Sequence, residues 1–231
     1  MSEQYQLLVF DWDGTLMDSA AQIVAAMNAA IGDLGLPQLP YRTISNIIGL
    51  GLQEAINALL PTLPQNLHAR VVARYRHHFL SAEIAQSRLF DGAEQCLRSL
   101  HAQGYLLAVA TGKGRHGLQR VLTDTGLTTL FHASRCADET CSKPDPRMLH
   151  EIMDELDVSA AHTLMIGDTE YDLQMARNAG VDAVGVSYGV HEDARLLLHQ
   201  PVAILHDISE LPVWLTQSTR ATVNDAGSVL R

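Results

Sequence analysis

Short apolar runs alternate with helical periodicity over most of the chain. The first run, Leu7 to Phe10, has four consecutive apolar residues, a pattern typical of a strand buried on both faces of a parallel sheet. Later runs cover Tyr105 to Ala110, Thr163 to Ile166 and Ala183 to Val186, and a weaker one covers Phe131 to Cys136. Helical segments lie between them. This alternation predicts an α/β fold with a doubly wound parallel sheet.

The segment after the first run has the periodicity of helices alone. Apolar residues recur at three- and four-residue spacing from Ile23 to Leu34. Asp18 or Ser19 is placed to cap the start of this helix, and Gly35 is placed to end it. Two further helical runs follow, at about residues 52–60 and 65–81, and no strand is expected among them.

We therefore expect an all-helical domain inserted into the α/β core. The inserted domain covers residues 18–88, and the core comprises residues 1–17 and 89–231. Within the core, residues 218–231 are polar and aperiodic, which predicts a loose tail.

Composition and charge exclude several classes of partner. The chain has 231 residues, of which 47% are hydrophobic and 18% charged, as in ordinary globular proteins. Its formal net charge of −10 argues against nucleic acid as a partner, because such binding depends on clustered Lys and Arg. We find neither a secretory signal nor a membrane-spanning stretch, and an odd number of cysteines (three) suits a reducing compartment. The sequence predicts a cytoplasmic monomer or homodimer.

Polar residues of a few chemical types follow the predicted strands. Because the carboxyl ends of parallel strands meet at one edge of a sheet, where open α/β sheets bind ligands, we expect these residues to lie close together. They are Asp11 and Asp13 after the first strand, Thr111 after the second, Lys143 after the third, and Asp168 and Asp172 after the fourth.

These residue types favour phosphate chemistry. Several carboxylates in one crevice repel each other unless a hard divalent cation binds, and all-oxygen ligands suit Mg²⁺. Lysine and threonine supply the charge and the hydroxyl donor that phosphate oxygens need. An aspartate can attack phosphorus, and a second acid two residues away can move protons. The set predicts Mg²⁺-assisted phosphoryl transfer from a small phosphorylated metabolite.

In these motifs the sequence resembles the haloacid dehalogenase-like hydrolases, and the resemblance covers essentially the whole chain. The motifs occur in the family's order: Asp11-Trp12-Asp13-Gly14-Thr15, Thr111 at a strand end, Lys143 before Pro144, and Gly167-Asp168-Thr169-Glu170-Tyr171-Asp172.

The resemblance implies a role for each residue. Asp11 would be the nucleophile and a Mg²⁺ ligand. Asp13 would be the general acid and base, and its backbone carbonyl would bind the metal. Asp168 would complete the metal site, and Asp172 would be either a ligand or an acceptor for Lys143 and metal-bound water. The phosphoryl group would be held by Thr111, the Gly112 amide and Lys143.

The helical insertion looks like the cap of this family. Asp13 favours phosphatases or phosphomutases over dehalogenases and phosphonatases, which lack an acid there. Gly49-Leu50-Gly51 is similar to phosphoglycolate phosphatase-like members, so Gly49, Leu50 and Lys113 are candidate substrate contacts. Those members usually carry Thr-Asn-Lys-Pro at the second motif, whereas this chain has Thr111-Gly112-Lys113-Gly114. Because of this departure, phosphoglycolate is one of several possible substrates.

Three alternatives remain open. A sugar phosphomutase of the same family would share the site. A dinucleotide-binding oxidoreductase would explain the Gly-x-Gly-x-x-Gly pattern of residues 112–117, with Asp138 about twenty residues on. A non-enzymatic phosphoacceptor domain would also combine acids with Thr and Lys, but it needs neither a lid nor the acid at Asp13.

Overall fold

Six parallel strands form the central sheet of the computed structural model, which describes residues 5–80 and 87–217. The predicted tail, residues 218–231, lies outside the described residues. The order of the strands is β5-β4-β1-β6-β7-β8. Their bounds are Leu7–Phe10 (β1), Leu106–Thr111 (β4), Ala133–Cys136 (β5), Thr163–Gly167 (β6), Asp182–Val186 (β7) and Ala203–Leu205 (β8). The predicted doubly wound α/β fold is confirmed.

Strand β1 lies in the middle of the sheet. Phe10 at its carboxyl end pairs with Val109 of β4 and Ile166 of β6, so these three strands end at nearly the same level. Leu8 and Phe10 pack in the hydrophobic cluster on one face, and Leu7 and Val9 pack in the cluster on the other. All four side chains are buried, as the continuous apolar run predicts.

Helices cover both faces of this sheet. They are α5 (Ala93–Ala102), α6 (Arg115–Asp124), α7 (Arg147–Leu156), α8 (Glu170–Ala179) and α9 (Asp193–Leu197). Apolar side chains of α5 and α6 belong to the cluster around Phe10, and those of α7 and α8 belong to the cluster around Val9. Within the described residues, none of the helices combines the length and the apolar character that a membrane span requires.

Four helices, here called the helical insertion, lie between β1 and β4. They are α1 (Ala20–Gly32), α2 (Tyr41–Ser45), α3 (Leu52–Leu59) and α4 (Gln65–Phe79). They share a hydrophobic cluster of their own that includes Met27, Ile44, Ile56 and Val71. A short antiparallel pair, β2 (Met17–Asp18) and β3 (Arg88–Leu89), joins the insertion to the core.

The structure confirms one local expectation and corrects others. Gly35 ends helix α1 as predicted: its φ is +69°, its amide donates to the Gly32 carbonyl at 2.9 Å, and the Leu36 amide donates to the Ile31 carbonyl at 3.3 Å. The short helix α2, in contrast, has no counterpart among the predicted helices. No side chain caps α1, because the Ser19 hydroxyl donates to Asp13 Oδ1. Strand β8 was also missed, since its three residues are too short for a periodic signal.

Candidate active site

The strand ends bring the predicted residues together at the carboxyl edge of the sheet. Asp11 directly follows β1, Thr111 is the last residue of β4, and Asp168 directly follows β6. Lys143 lies in the loop between β5 and α7, and Asp172 lies in the first turn of α8. All five residues are buried. The residues that the sequence predicts at this edge therefore form a compact group of charged and polar side chains.

Lys143 forms two buried ion pairs. Its Nζ lies 2.7 Å from Asp11 Oδ1 and 2.6 Å from Asp172 Oδ1. Burial alone would lower the pKa of Lys143, but the two carboxylates outweigh burial and raise it above its ordinary value. Burial also raises the pKa of Asp11, and the nearby Lys143 charge counteracts only part of that effect. The lysine therefore stays charged and holds both acids in place.

Asp168 is enclosed by hydrogen-bond donors and by close backbone. Its Oδ1 accepts from the Thr15 hydroxyl at 2.8 Å, and its Oδ2 accepts from the Val190 amide at 2.9 Å. A Cβ atom at Gly14, where φ is +91°, would lie 2.2 Å from Asp168 Oδ2, so this turn requires glycine. Burial, with the charge of Asp172, raises the pKa of Asp168 to about 7.

The acidic cluster fits a divalent cation. One carboxylate oxygen from each of Asp11, Asp168 and Asp172 lies within 4.8 Å of the others. Among the described residues, Asp11 Oδ2 is buried with no hydrogen-bond partner. Three carboxylates and the single charge of Lys143 leave two uncompensated negative charges, which a divalent cation would neutralise.

Asp172 is the most fully engaged of these acids. Its Oδ1 faces Lys143, and its Oδ2 accepts from the amide and the hydroxyl of Thr169 at 3.1 and 2.7 Å. The bond from the Thr169 amide is one half of the capping box of α8, whose other half is the Asp172 amide donating to the Thr169 side chain. The contacts favour Asp172 as an acceptor for Lys143 over a direct metal ligand.

Asp13 lies in a different environment from Asp11. Its Oδ1 accepts from the Ser19 hydroxyl at 2.6 Å, and its Oδ2 lies 2.9 Å from Lys113 Nζ. The same lysine nitrogen lies 4.7 Å from the centre of the Phe79 ring. Asp13 therefore contacts residues on both the core and the helical insertion.

A cavity of about 570 Å³ lies between the core and the helical insertion. Among the predicted site residues, it is lined by Asp11, Asp13, Thr111 and Gly112, and also by the candidate substrate contacts Gly49, Leu50 and Lys113. Lys143, Asp168 and Asp172 do not line it. Of the four acids predicted for the site, Asp11 and Asp13 are thus the two that a ligand in this cavity can contact.

The surroundings of Gly112 explain why the second motif has glycine where phosphoglycolate phosphatase-like proteins usually have asparagine. A Cβ atom at this position would lie 2.3 Å from the Leu50 carbonyl oxygen and 2.6 Å from that of Gly49. The backbone of the insertion therefore occupies the space that an asparagine side chain would need.

Several contacts between the insertion and the core were not predicted. The Asn46 carbonyl accepts from the Tyr171 hydroxyl at 3.1 Å, and the Gly51 amide donates to Ser142 Oγ at 2.7 Å. Arg195 donates to both Asn46 Oδ1 and Glu170. No local sequence signal marks these residues, because each contact joins segments at least 25 positions apart.

The glycine pattern of residues 112–117 does follow a strand, β4, and extends into the first turn of a helix, α6. In a dinucleotide site, Asp138 would be the acceptor for the ribose. Here its carboxylate accepts a hydrogen bond from the Arg115 amide at 2.9 Å, at the start of α6. The structure thus gives these residues a structural role and does not favour the dinucleotide alternative.

Comparison with known proteins identifies the class to which this fold and site belong. The family model described as haloacid dehalogenase-like hydrolase matches residues 8–186, and the chain belongs to this family. A probable phosphatase IndB of Dickeya dadantii is 37% identical over 89% of this chain and 91% of that protein. A plasmid phosphoglycolate phosphatase of Cupriavidus necator is 33% identical over 93% and 94%.

A solved structure shows the same fold. The crystal structure of a predicted phosphoglycolate phosphatase from Haemophilus somnus superposes with a TM-score of 0.82 and 26% identity. The match covers 91% of this chain and 98% of that one. The family resemblance drawn from the motifs is confirmed.

The raised pKa of Asp168 predicts how pH affects the metal-free protein. The pKa of this carboxyl is 3.8 in its ordinary state and about 7 in the folded protein. Between these two pH values the folded state therefore binds a proton that the unfolded state does not. This contribution to stability is present below about pH 4 and is lost as pH rises through 7. In EDTA, we expect urea unfolding to show lower stability at pH 8 than at pH 5, by on the order of 1 to 4 kcal/mol.

The matched variant is Asp168→Asn, which cannot titrate. Its stability should change less between pH 5 and pH 8 than that of the wild type. An equal change in both proteins would show that Asp168 does not titrate in this range.

The contact at Gly112 predicts a steric effect. In Gly112→Asn, which restores the residue usual in the related enzymes, the new side chain must push the Gly49 and Leu50 backbone away. Overpacking of this kind typically costs about 1 to 3 kcal/mol. We expect kcat/KM for phosphate esters to fall at least about tenfold.

The control is Gly32→Ala, because a Cβ atom at Gly32 meets nothing within 4 Å and the residue is helical. It should retain wild-type kinetics. Wild-type kinetics in Gly112→Asn as well would mean that the insertion does not need to lie this close to the core during turnover.

Proposed function

We propose that this chain is a Mg²⁺-dependent phosphomonoesterase that works through a phosphorylated Asp11. The hydrolase family and relatives named as phosphatases support the class, and the prediction of a phosphatase is confirmed. The observation that carries the mechanism is the placement of Asp11, whose Oδ1 pairs with Lys143 while the residue also lines the cavity. A nucleophile needs both a fixed position and access to substrate.

The reaction proceeds in two steps at the carboxyl edge. Asp11 attacks the phosphorus atom, a bond from the carboxylate to phosphorus forms, and the bond to the leaving oxygen breaks. Asp13 donates its proton to that oxygen. Asp13 then takes a proton from water, which attacks phosphorus and releases Asp11 and inorganic phosphate.

The phosphoryl oxygens are bound by groups around Asp11. Thr111 supplies a hydroxyl, Gly112 its backbone amide, and Lys143 its positive charge. Since Lys143 is buried with Asp11 and Asp172, it also keeps the nucleophile at a fixed position before substrate binds.

A divalent ion would be held by Asp11, Asp168 and the backbone carbonyl of Asp13, and Asp172 would accept from Lys143 and from water bound to the ion. When bound, Mg²⁺ neutralises negative charge on the cluster and on the phosphoryl group. Two uncompensated charges and the unpartnered Asp11 oxygen support a divalent ion of this kind.

The helical insertion is the lid of this enzyme, and we assign it residues 18–88, with residues 1–17 and 89–231 as the catalytic core. The support is the cavity, which has walls from both parts and contains Asp11 and Asp13. Closure of such a lid excludes water and selects the substrate. The substrate is a small phosphorylated metabolite, and phosphoglycolate is the compound named for several relatives.

The phosphomutase and phosphoacceptor alternatives make different predictions for the same site. A mutase converts a hexose 1-phosphate to an isomer, whereas the proposed hydrolase releases inorganic phosphate. A phosphoacceptor would keep a long-lived phosphoryl group on Asp11. Asp13 beside the cavity favours an enzyme over a phosphoacceptor, because it supplies a base for the second step, and product analysis with a hexose 1-phosphate separates the hydrolase from the mutase.

Removal of the nucleophile tests the mechanism directly. We expect Asp11→Asn to lose at least about 10³-fold in kcat while retaining the fold. Phosphate release from a panel of small phosphate esters, with Mg²⁺ and with EDTA, measures this effect. The control is Asp18→Asn, which changes an exposed carboxylate in β2 and should retain activity. Near-normal turnover in Asp11→Asn would contradict the proposed chemistry.

The role of Asp13 predicts a distinct kinetic effect. In Asp13→Asn, transfer of the leaving oxygen's proton and activation of water are both lost, and each typically contributes about 10²- to 10⁴-fold. Rapid-quench measurement of a single turnover should show slower formation or slower decay of the phosphorylated enzyme. Single-turnover kinetics identical to those of the wild type would assign the acid and base role to another group.

A further inference from the structure

The wall of the cavity that belongs to the helical insertion is largely apolar. Its side chains include Met27, Ile48, Leu52, Val72, Tyr75 and Phe79. Tyr75 and Phe79 lie one helical turn apart in α4, with ring centres 5.6 Å apart and planes at 31°. This wall faces the edge that carries Asp11 and Asp13, so a leaving group bonded to phosphorus would extend towards it.

The charges around the cavity are unfavourable for an anionic leaving group. Besides Asp11 and Asp13, the lining contains the carboxylates of Glu54 and Asp138. Of the described lining residues, only Lys113 and Arg76 carry a permanent positive charge.

Neither cation is well placed to bind a carboxylate of the substrate. Lys113 Nζ is already 2.9 Å from Asp13 Oδ2 and is covered by the Phe79 ring. Arg76 lies on α4 with its side chain exposed to solvent. A second negative charge on the substrate, such as the carboxylate of glycolate, would therefore meet four acids and no unpaired buried cation.

The size of the cavity also exceeds what a two-carbon acid needs. A volume of about 570 Å³ is within the roughly 300 to 1,000 Å³ of pockets that enclose drug-sized ligands. Apolar walls gain binding energy only from apolar surface removed from water. A substrate that left this wall in contact with water would gain little from it.

We propose, on the basis of the phosphatase function above, that the preferred substrate is a phosphate monoester with an uncharged alcohol that carries an apolar or aromatic group. The phosphoryl group lies at Asp11, and the ring or alkyl group lies against Val72, Tyr75 and Phe79. The core then performs the chemistry, and the insertion selects an apolar leaving group over an acidic one.

The test compares three esters with the intact wild-type enzyme and Mg²⁺: 2-phenylethyl phosphate, ethyl phosphate and phosphoglycolate. Ethyl phosphate lacks the ring but has a similar alcohol as leaving group, whereas phosphoglycolate adds a carboxylate. We expect kcat/KM for 2-phenylethyl phosphate to exceed each of the others at least tenfold, since even one methylene in an apolar pocket gives about 10- to 200-fold discrimination.

The outcomes separate this inference from the proposed function. Phosphoglycolate hydrolysed as fast as 2-phenylethyl phosphate, or faster, would overturn the inference and leave the phosphatase intact. Equal rates for the ethyl and 2-phenylethyl esters would also overturn it. If Mg²⁺ supports hydrolysis of none of the three, nor of any other small phosphate ester, the phosphatase function itself fails.

A pair of variants locates the ring. Val72→Asp places a carboxylate on the apolar wall and should lower kcat/KM at least tenfold more for 2-phenylethyl phosphate than for ethyl phosphate. Val213→Asp makes the same change at a side chain that is 58% exposed and outside the cavity, and should change neither value. If Val72→Asp does not fold, the smaller change Val72→Thr should lower the same ratio. An equal loss for both esters would contradict contact between the ring and Val72.

Discussion

The burial of Lys143 with three carboxylates is the constraint on which the rest of this structure depends. Charged groups removed from water are costly unless each one has a partner. Here one lysine contacts two acids, and Asp168 takes donors from Thr15 and Val190. The glycine at position 14 admits the backbone close to Asp168, because a larger residue would collide with it. Burial and the nearby Asp172 charge raise the pKa of Asp168, which is consistent with incomplete charge compensation within the chain, and a bound divalent cation would complete it.

The first motif divides its two acids between different environments. Asp11 directly follows β1 inside the buried cluster, whereas Asp13 lies two residues later, beyond the bend, where Ser19 and Lys113 contact it. Unequal surroundings are what two carboxylates need if one is to attack and the other is to transfer protons. The short separation has a second consequence. The chain passes from Asp11 into the helical insertion within a few residues, so the proposed nucleophile and the proposed lid share one segment.

The sequence was most informative where local periodicity and strand ends determine position. The continuous apolar run of β1 gave its burial on both faces, and the parallel order placed Asp11, Thr111 and Asp168 on one edge. Helix α7 also carries clear local signals, because a proline directly precedes it and its buried apolar residues recur at regular spacing. What could not be predicted depends on contacts between distant segments. Ser19 is a good cap by type but bonds to Asp13, and Gly112 is small because the backbone of the insertion lies against it.

Catalysis and selectivity have separate structural origins in this chain. The buried cluster is built from residues that follow β1, β5 and β6, and its charges allow few substitutions. The apolar wall belongs to the insertion, whose hydrophobic cluster is separate from the two clusters of the core. Side chains on that wall, such as Val72, can change without removing a partner from Lys143. The contact between Lys113 and Asp13 is an exception, because it joins the second motif of the core to the acid proposed to protonate the leaving oxygen, directly beneath Phe79. A substrate whose negative charge draws Lys113 away from Asp13 would therefore change the charge around Asp13. An uncharged leaving group avoids that effect, so the Lys113–Asp13 pair stays intact while the wall selects the apolar group.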